Sequence, residues 1–157
     1  MNEKWLIALL PIVAGLLAIV PVIKADDVQV SAYIPPYVSV VFNYNTVDFG
    51  AVAAGSTDVP APGQENGIYN VTVTANIRVG VYAYRSGWYP IDDLTLKFAA
   101  DTSVPTSPQI TLTTASQLVT FLTEGQYTHY HAYWLTVPLA APYGTRSTTV
   151  TITYQPA

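Results

Sequence analysis

Downstream of Ala25, stretches of Val, Ile, Thr, Tyr and Phe recur between clusters of Gly, Pro, Ser and Asp, and no segment there carries a helical apolar period. β-Branched and aromatic side chains pack well on a pleated surface, so residues 37–42, 69–79, 81–84, 94–98, 109–113, 117–122, 129–137 and 147–154 read as strands. The turn clusters between them, "AAGSTDVPAPGQENG", "RSGWYPIDD", "DTSVPTSP" and "APYGT", have spacings that suit an antiparallel β-sandwich rather than βαβ units. The chain is expected to be all-β, with one sandwich over 37–157.

Length and charge narrow the function. At 157 residues, half of them hydrophobic, the chain suits one domain with a full core. Six Lys plus Arg stand against ten Asp plus Glu, which argues against a nucleic-acid partner. With no cysteine, neither disulfides nor a thiolate metal site can form, and stability must come from packing and proline.

Ahead of the strands lies "WLIALLPIVAGLLAIVPVI", residues 5–23, uncharged and followed by "KADD". As a straight helix it would rise about 28 Å, enough to span a bilayer. Pro21 interrupts it, and small Ala25 precedes acidic Asp26 and Asp27, the layout of a secretory signal peptide over 1–25 with the mature chain starting at Asp26. A retained anchor is the other reading, because the amino-terminal charge is weak and bulky Ile23 precedes the cut.

Residues 26–36 then pose a question of strand ownership. Val28, Val30, Ala32 and Ile34 alternate with Gln29, Ser31 and Tyr33, which suits a strand with one buried face. Pro35 and Pro36 cannot donate to a ladder and force extended geometry, so they end the run and form a stiff hinge. The run is either a first strand that kinks from one sheet of its own sandwich to the other, or a strand supplied to another molecule.

Candidate chemistry is sparse. His129 and His131, the only histidines, are two apart in "THYHAYW" and share a strand face, which offers two ligands to zinc or copper. Lacking an HExxH motif or a cysteine partner, they are expected to be solvated strand-face residues whose replacement by glutamine leaves folding unchanged. Asp92-Asp93 and Asp26-Asp27 read as caps or turn residues rather than acid/base pairs. Neither a GxSxG elbow nor a P-loop occurs, so no cofactor is expected and an enzyme is disfavoured. Twelve tyrosines and three tryptophans exceed the needs of a core; Tyr82, Tyr84, Trp88, Tyr130 and Trp134 form a candidate aromatic interface for protein or sugar. Asn70 in "NVT" is the one glycosylation sequon.

Two passages sharpen the class. "NTVDFGAVAAGS" leads an extended Val47-Asp48-Phe49 into glycine turns, and "APYGTRSTTVTITYQPA" closes the chain on a strand with Val150, Ile152 and Tyr154 on one face. Such openings and closings occur in Ig-like and jelly-roll-type surface domains. With its leader, early alternating strand, "VDFG" stretch and closing strand, the chain resembles subunits of archaeal extracellular filaments, the thread and bundling-pilus proteins, and more distantly biofilm-matrix fibre proteins of bacilli. That resemblance implies a secreted cell-surface filament whose subunits partner copies of themselves by donor-strand complementation, with Val28, Val30, Ala32 and Ile34 as donor positions. The alternative is an Ig-like secreted or anchored surface module that binds carbohydrate or a surface protein through an aromatic face.

Overall fold

Alternation of apolar and polar residues sets the architecture. In Asn70–Ala75, Val71, Val73 and Ala75 are buried while Asn70, Thr72 and Thr74 stay half-exposed on the opposite face. The computed structural model describes residues 31–157. The hydrophobic segment 1–25, Asp26, Asp27, Val28 and Val30 lie outside the described residues.

Nine strands follow in chain order: β1 (Val38–Phe42), β2 (Val59–Pro60), β3 (Asn70–Ala75), β4 (Val79–Arg85), β5 (Thr95–Asp101), β6 (Ile110–Thr111), β7 (Gln117–Leu122), β8 (Gly125–Thr136) and β9 (Val150–Pro156). They form two antiparallel sheets, as the sequence predicts for a β-sandwich. The larger runs β1-β3-β8-β5-β6, with β2 added beside β8, and the smaller runs β7-β4-β9. Inward side chains of the two sheets meet in the core: Val71 and Val73 of β3, Val79, Val81 and Ala83 of β4, and Phe98 of β5 are wholly buried. Each such valine or phenylalanine contributes about 1.5–3 kcal/mol.

Several boundaries depart from expectation: β8 begins at Gly125, four residues before 129, β6 is only Ile110–Thr111, and β9 runs Val150–Pro156. The run 69–79 is not one strand; Asn76, Ile77 and Arg78 turn the chain from β3 in the larger sheet to β4 in the smaller one. The two-residue β2 was not anticipated, because Pro60 argues against a strand. β2 pairs with Trp134 and Leu135 of β8, while β3 begins opposite Tyr130. Buried Gln64 bridges the gap between them: its Oε1 accepts the Tyr133 backbone N–H at 2.8 Å. Replacing Gln64 with Ala is expected to orphan that N–H and cost about 1–3 kcal/mol, measurable as a lowered denaturant midpoint.

Candidate functional site

The sandwich is open along one side. Val38, Val40 and Phe42 of β1 stand opposite Ala75, Val73 and Val71, so they face inward, yet Phe42 remains 43% exposed where its neighbour Val71 is 0%. On β9, Val150, Ile152 and Tyr154 oppose Arg85, Ala83 and Val81 and also face inward, as their sequence pattern predicts, but all three are only half-buried. β1 pairs only with β3 and β9 only with β4, so both edges are free among the described residues.

Beyond the end of β1 this seam widens into a cleft of about 1320 Å³. Its floor is Tyr133 and Leu135 of β8 with Leu96 of β5; one wall is the 43–55 loop and the other is the run 146–152. The "VDFG" stretch shapes the loop wall. The Asp48 carboxylate accepts the Gly50 N–H at 2.8 Å, Gly50 takes a left-handed φ of 63°, and Val47, Phe49 and Val52 turn toward the core. The opposite wall is an extended backbone. Ser147 and Tyr89 exchange backbone hydrogen bonds, and Thr149 is bonded to Ser86 through both its N–H and its carbonyl. Antiparallel alternation therefore turns the N–H and C=O groups of Thr148, Val150 and Ile152 toward the open edge.

An aromatic and histidine cluster closes the inner end of the cleft. Phe42 packs against Tyr44 and Tyr154 with ring centroids 6.1 and 6.3 Å apart. Behind them the Tyr154 hydroxyl lies 2.7 Å from both His129 Nδ1 and His131 Nε2, and the Tyr44 hydroxyl lies 2.5 Å from His131 Nδ1 and 2.6 Å from the Tyr133 hydroxyl. One proton order satisfies the chain: Tyr133 donates to Tyr44, Tyr44 to His131 Nδ1, His131 Nε2–H to Tyr154, and Tyr154 to His129 Nδ1. The remaining proton then sits on His129 Nε2, which has no hydrogen-bond partner although the Ala100 backbone beside it favours protonation.

The expectation of a solvated histidine face is therefore corrected. His129 is 0% and His131 1% exposed, because both lie on the inward track of β8 that continues through Tyr133 and Leu135. Burial pushes the His129 imidazole down to about 4, opposed by Asp101, and burial with its neighbour His129 pushes His131 down to about 3. Both are neutral at pH 7. Burial likewise raises the Tyr44, Tyr133 and Tyr154 hydroxyls above the usual phenol range, so the network is uncharged. Tyrosine hydroxyls occupy three of the four ring nitrogens, which leaves the pair no open metal-binding geometry.

The amino-terminal extension leaves from the opposite end of the strands. Asn76 fixes it there: its Oδ1 accepts the Tyr37 N–H at 2.7 Å, its Nδ2 donates to the Pro35 carbonyl at 2.9 Å, and its own N–H donates to the Tyr37 carbonyl at 3.1 Å. Pro35 and Pro36 are exposed, and Ile34 stands 76% exposed, far from burial in the body. Ser31 to Tyr37 form no strand. Sequence reasoning named the hinge but missed Asn76, whose only signal was an isolated Asn inside a strand-like run. Asn76→Ala is expected to leave the body's melting temperature within a few degrees while the extension loses its fixed direction, seen as faster amide exchange at Tyr37.

The other candidate residues do not converge. Tyr82 and Tyr84 lie half-exposed on the outer face of β4, as their spacing predicts. Tyr130 and Trp134 are on the outer face of the larger sheet, and Trp88 is half-buried on the cleft. Trp134 is 5% exposed, packed with Ala99 and Ala132, so its assignment to an interface is corrected: β2 lies along β8 beside it. Asn70 is half-buried, with Nδ2 donating to the Gly67 carbonyl at 2.7 Å and Oδ1 accepting from Asn43 at 2.6 Å, so a glycan on Nδ2 of the folded chain would have to fit beside the Gly67 carbonyl. Asp92 accepts from the Trp88 N–H and from Arg85, and Asp93 pairs with Arg146 at 3.0 and 3.1 Å, holding two loops beside the cleft. No protein-family model matches the chain, and no curated protein matches it.

Proposed function

We propose that this chain is the structural subunit of an extracellular filament, exported and assembled by donor-strand complementation with copies of itself. The open seam between β1 and β9 carries the reading. Its inward side chains are half-covered, its β9 edge presents unpaired backbone groups, and its cleft is floored by Tyr133, Leu135 and Leu96. The chain also carries a strand of that kind. Residues 28–34 alternate and end on a proline hinge, and that hinge joins the body at the far end from the cleft, with Ile34 exposed.

In this reading the protein is not an enzyme, and its buried histidines serve packing. The alternative of a carbohydrate- or protein-binding aromatic face is disfavoured by the scatter of Tyr82, Tyr84, Trp88, Tyr130 and Trp134 over three surfaces. Negative-stain electron microscopy of the chain beginning at Asp26 tests the proposal. Unbranched fibres of uniform width are expected; a protein that stays monomeric at high concentration would exclude it.

A further inference from the structure

The seam has two unlike ends, and the difference fixes how a strand can enter it. Toward Tyr154 it is stopped by the Phe42, Tyr44 and Tyr154 rings, and the two tyrosine hydroxyls are tied to the buried histidines. Toward Arg146 it opens between the loops that precede β9, with Tyr143 wholly exposed on the rim. A donor run is tethered through Pro35-Pro36 to a folded body too large to enter the cleft, so its carboxyl end must lie at the open mouth.

We propose that the donor strand of a second copy pairs antiparallel to the 146–152 edge, with Ile34 at the Arg146 mouth and Val28 toward Ile152. The inference rests on the filament reading and adds its direction. Antiparallel register sets Val28, Val30 and Ala32 beside the inward-facing Ile152, Val150 and Thr148, and Gln29, Ser31 and Tyr33 beside the outward Thr151, Thr149 and Ser147. Apolar meets the cleft and polar meets solvent on both strands. The Arg146 guanidinium does not obstruct the mouth, because Asp93 holds it at 3.0 Å and its side chain is only 7% exposed.

The partner surfaces follow from the same geometry. The extension leaves its own body at the Asn76 end of the strands, whereas the mouth lies at the Val150 end, opposite Arg85. Each joint therefore brings the Asn76 end of one copy onto the 138–147 loop of the next, with Tyr143 against the Pro35-Pro36 hinge. Such a contact is heterologous and generates an open-ended filament with one polarity.

The chain has no cysteine, so engineered pairs report without background. Tyr33→Cys with Ser147→Cys is expected to give a covalent ladder on oxidation, read on a denaturing gel as loss of the monomer band. Tyr33→Cys with Thr151→Cys is expected to leave monomers, since the two acceptor positions are about 13 Å apart along a strand and a disulfide needs Cα atoms within about 7 Å. A ladder through Thr151 and none through Ser147 would overturn the orientation while leaving donor exchange intact. Filaments that persist after removal of 26–34 would overturn donor exchange itself. Helical reconstruction of wild-type filaments gives a second reading, independent of any variant: a strand running parallel to β9 in the cleft refutes the proposal, and an antiparallel one supports it.

Discussion

A chain truncated to begin at Tyr37 is expected to fold but to form no filaments, and Val30→Asp in the full mature chain is expected to do the same. Val30 contributes about 1.5–3 kcal/mol when its side chain leaves water, and aspartate both forfeits this and must shed the hydration of its carboxylate in an apolar cleft. The backbone adds to the effect, since each ladder hydrogen bond made to the free β9 edge contributes about 0.5–1.5 kcal/mol net. Because the seam is open in the isolated body, a synthetic peptide of residues 26–34 should bind it in trans, raise the melting temperature and still leave monomers. Size-exclusion chromatography with microscopy reads both arms. Truncated protein that forms fibres of the wild-type diameter would remove the extension from the mechanism.

Acidification is expected to destabilise the body before Asp58, Asp92 and Asp93 are protonated. His129 and His131 are held neutral by burial, with values lowered from 6.5 to about 4 and about 3. The unfolded chain therefore binds more protons than the folded one below pH 6.5, and stability present above that pH is lost as pH falls. Both histidines contribute to the slope until His129 titrates near 4, after which His131 alone contributes, down to about 3. Asp58, Asp92 and Asp93, whose carboxyls are lowered by Lys97, the Trp88 N–H and Arg146 respectively, lose their contribution only below 3.8, so the window from 6.5 to 4 belongs to the histidines. Tyr154→Phe should cost about 2–6 kcal/mol at pH 7, since it strips one partner from each imidazole and leaves two buried groups unpaired. Thermal melts at several pH values check this, and a melting temperature constant from pH 7 to 4 would contradict it. Glutamine at both histidines, which the sequence suggested would be neutral, should instead lower stability and flatten the pH dependence.

Why the sequence misled on these histidines is instructive. A two-residue period shows that His129 and His131 share a face, but not which face is buried. The informative signal lay further along the same track, where Tyr133, Leu135 and Val137 are all large and apolar and all buried. Local chemistry served better elsewhere. β7 spans Gln117–Leu122 as read, and the face shared by Val150, Ile152 and Tyr154 points inward. The turn at Asn76–Arg78 carries no Gly or Pro, so nothing local separates β3 from β4. β2 is held by pairing to β8 against the preference of Pro60, a tertiary contact that no window of residues reveals. The seam itself belongs to this class: that β1 and β9 are both edges follows from strand order, which alternation does not encode.

The placement of exit and cleft at opposite ends of the strands also determines how the body would meet a pull applied between them. A pull between the Pro35–Tyr37 hinge and the 146–152 edge runs along the strand axes, not across them. The β1-β3, β3-β8 and β4-β9 ladders are then strained in shear, with many hydrogen bonds resisting together, whereas a pull across a ladder would peel them one at a time. Asn76, bonded on both sides of the hinge, is where tension first enters the body. A chain without a single disulfide can thus owe tensile strength to the direction of its strands.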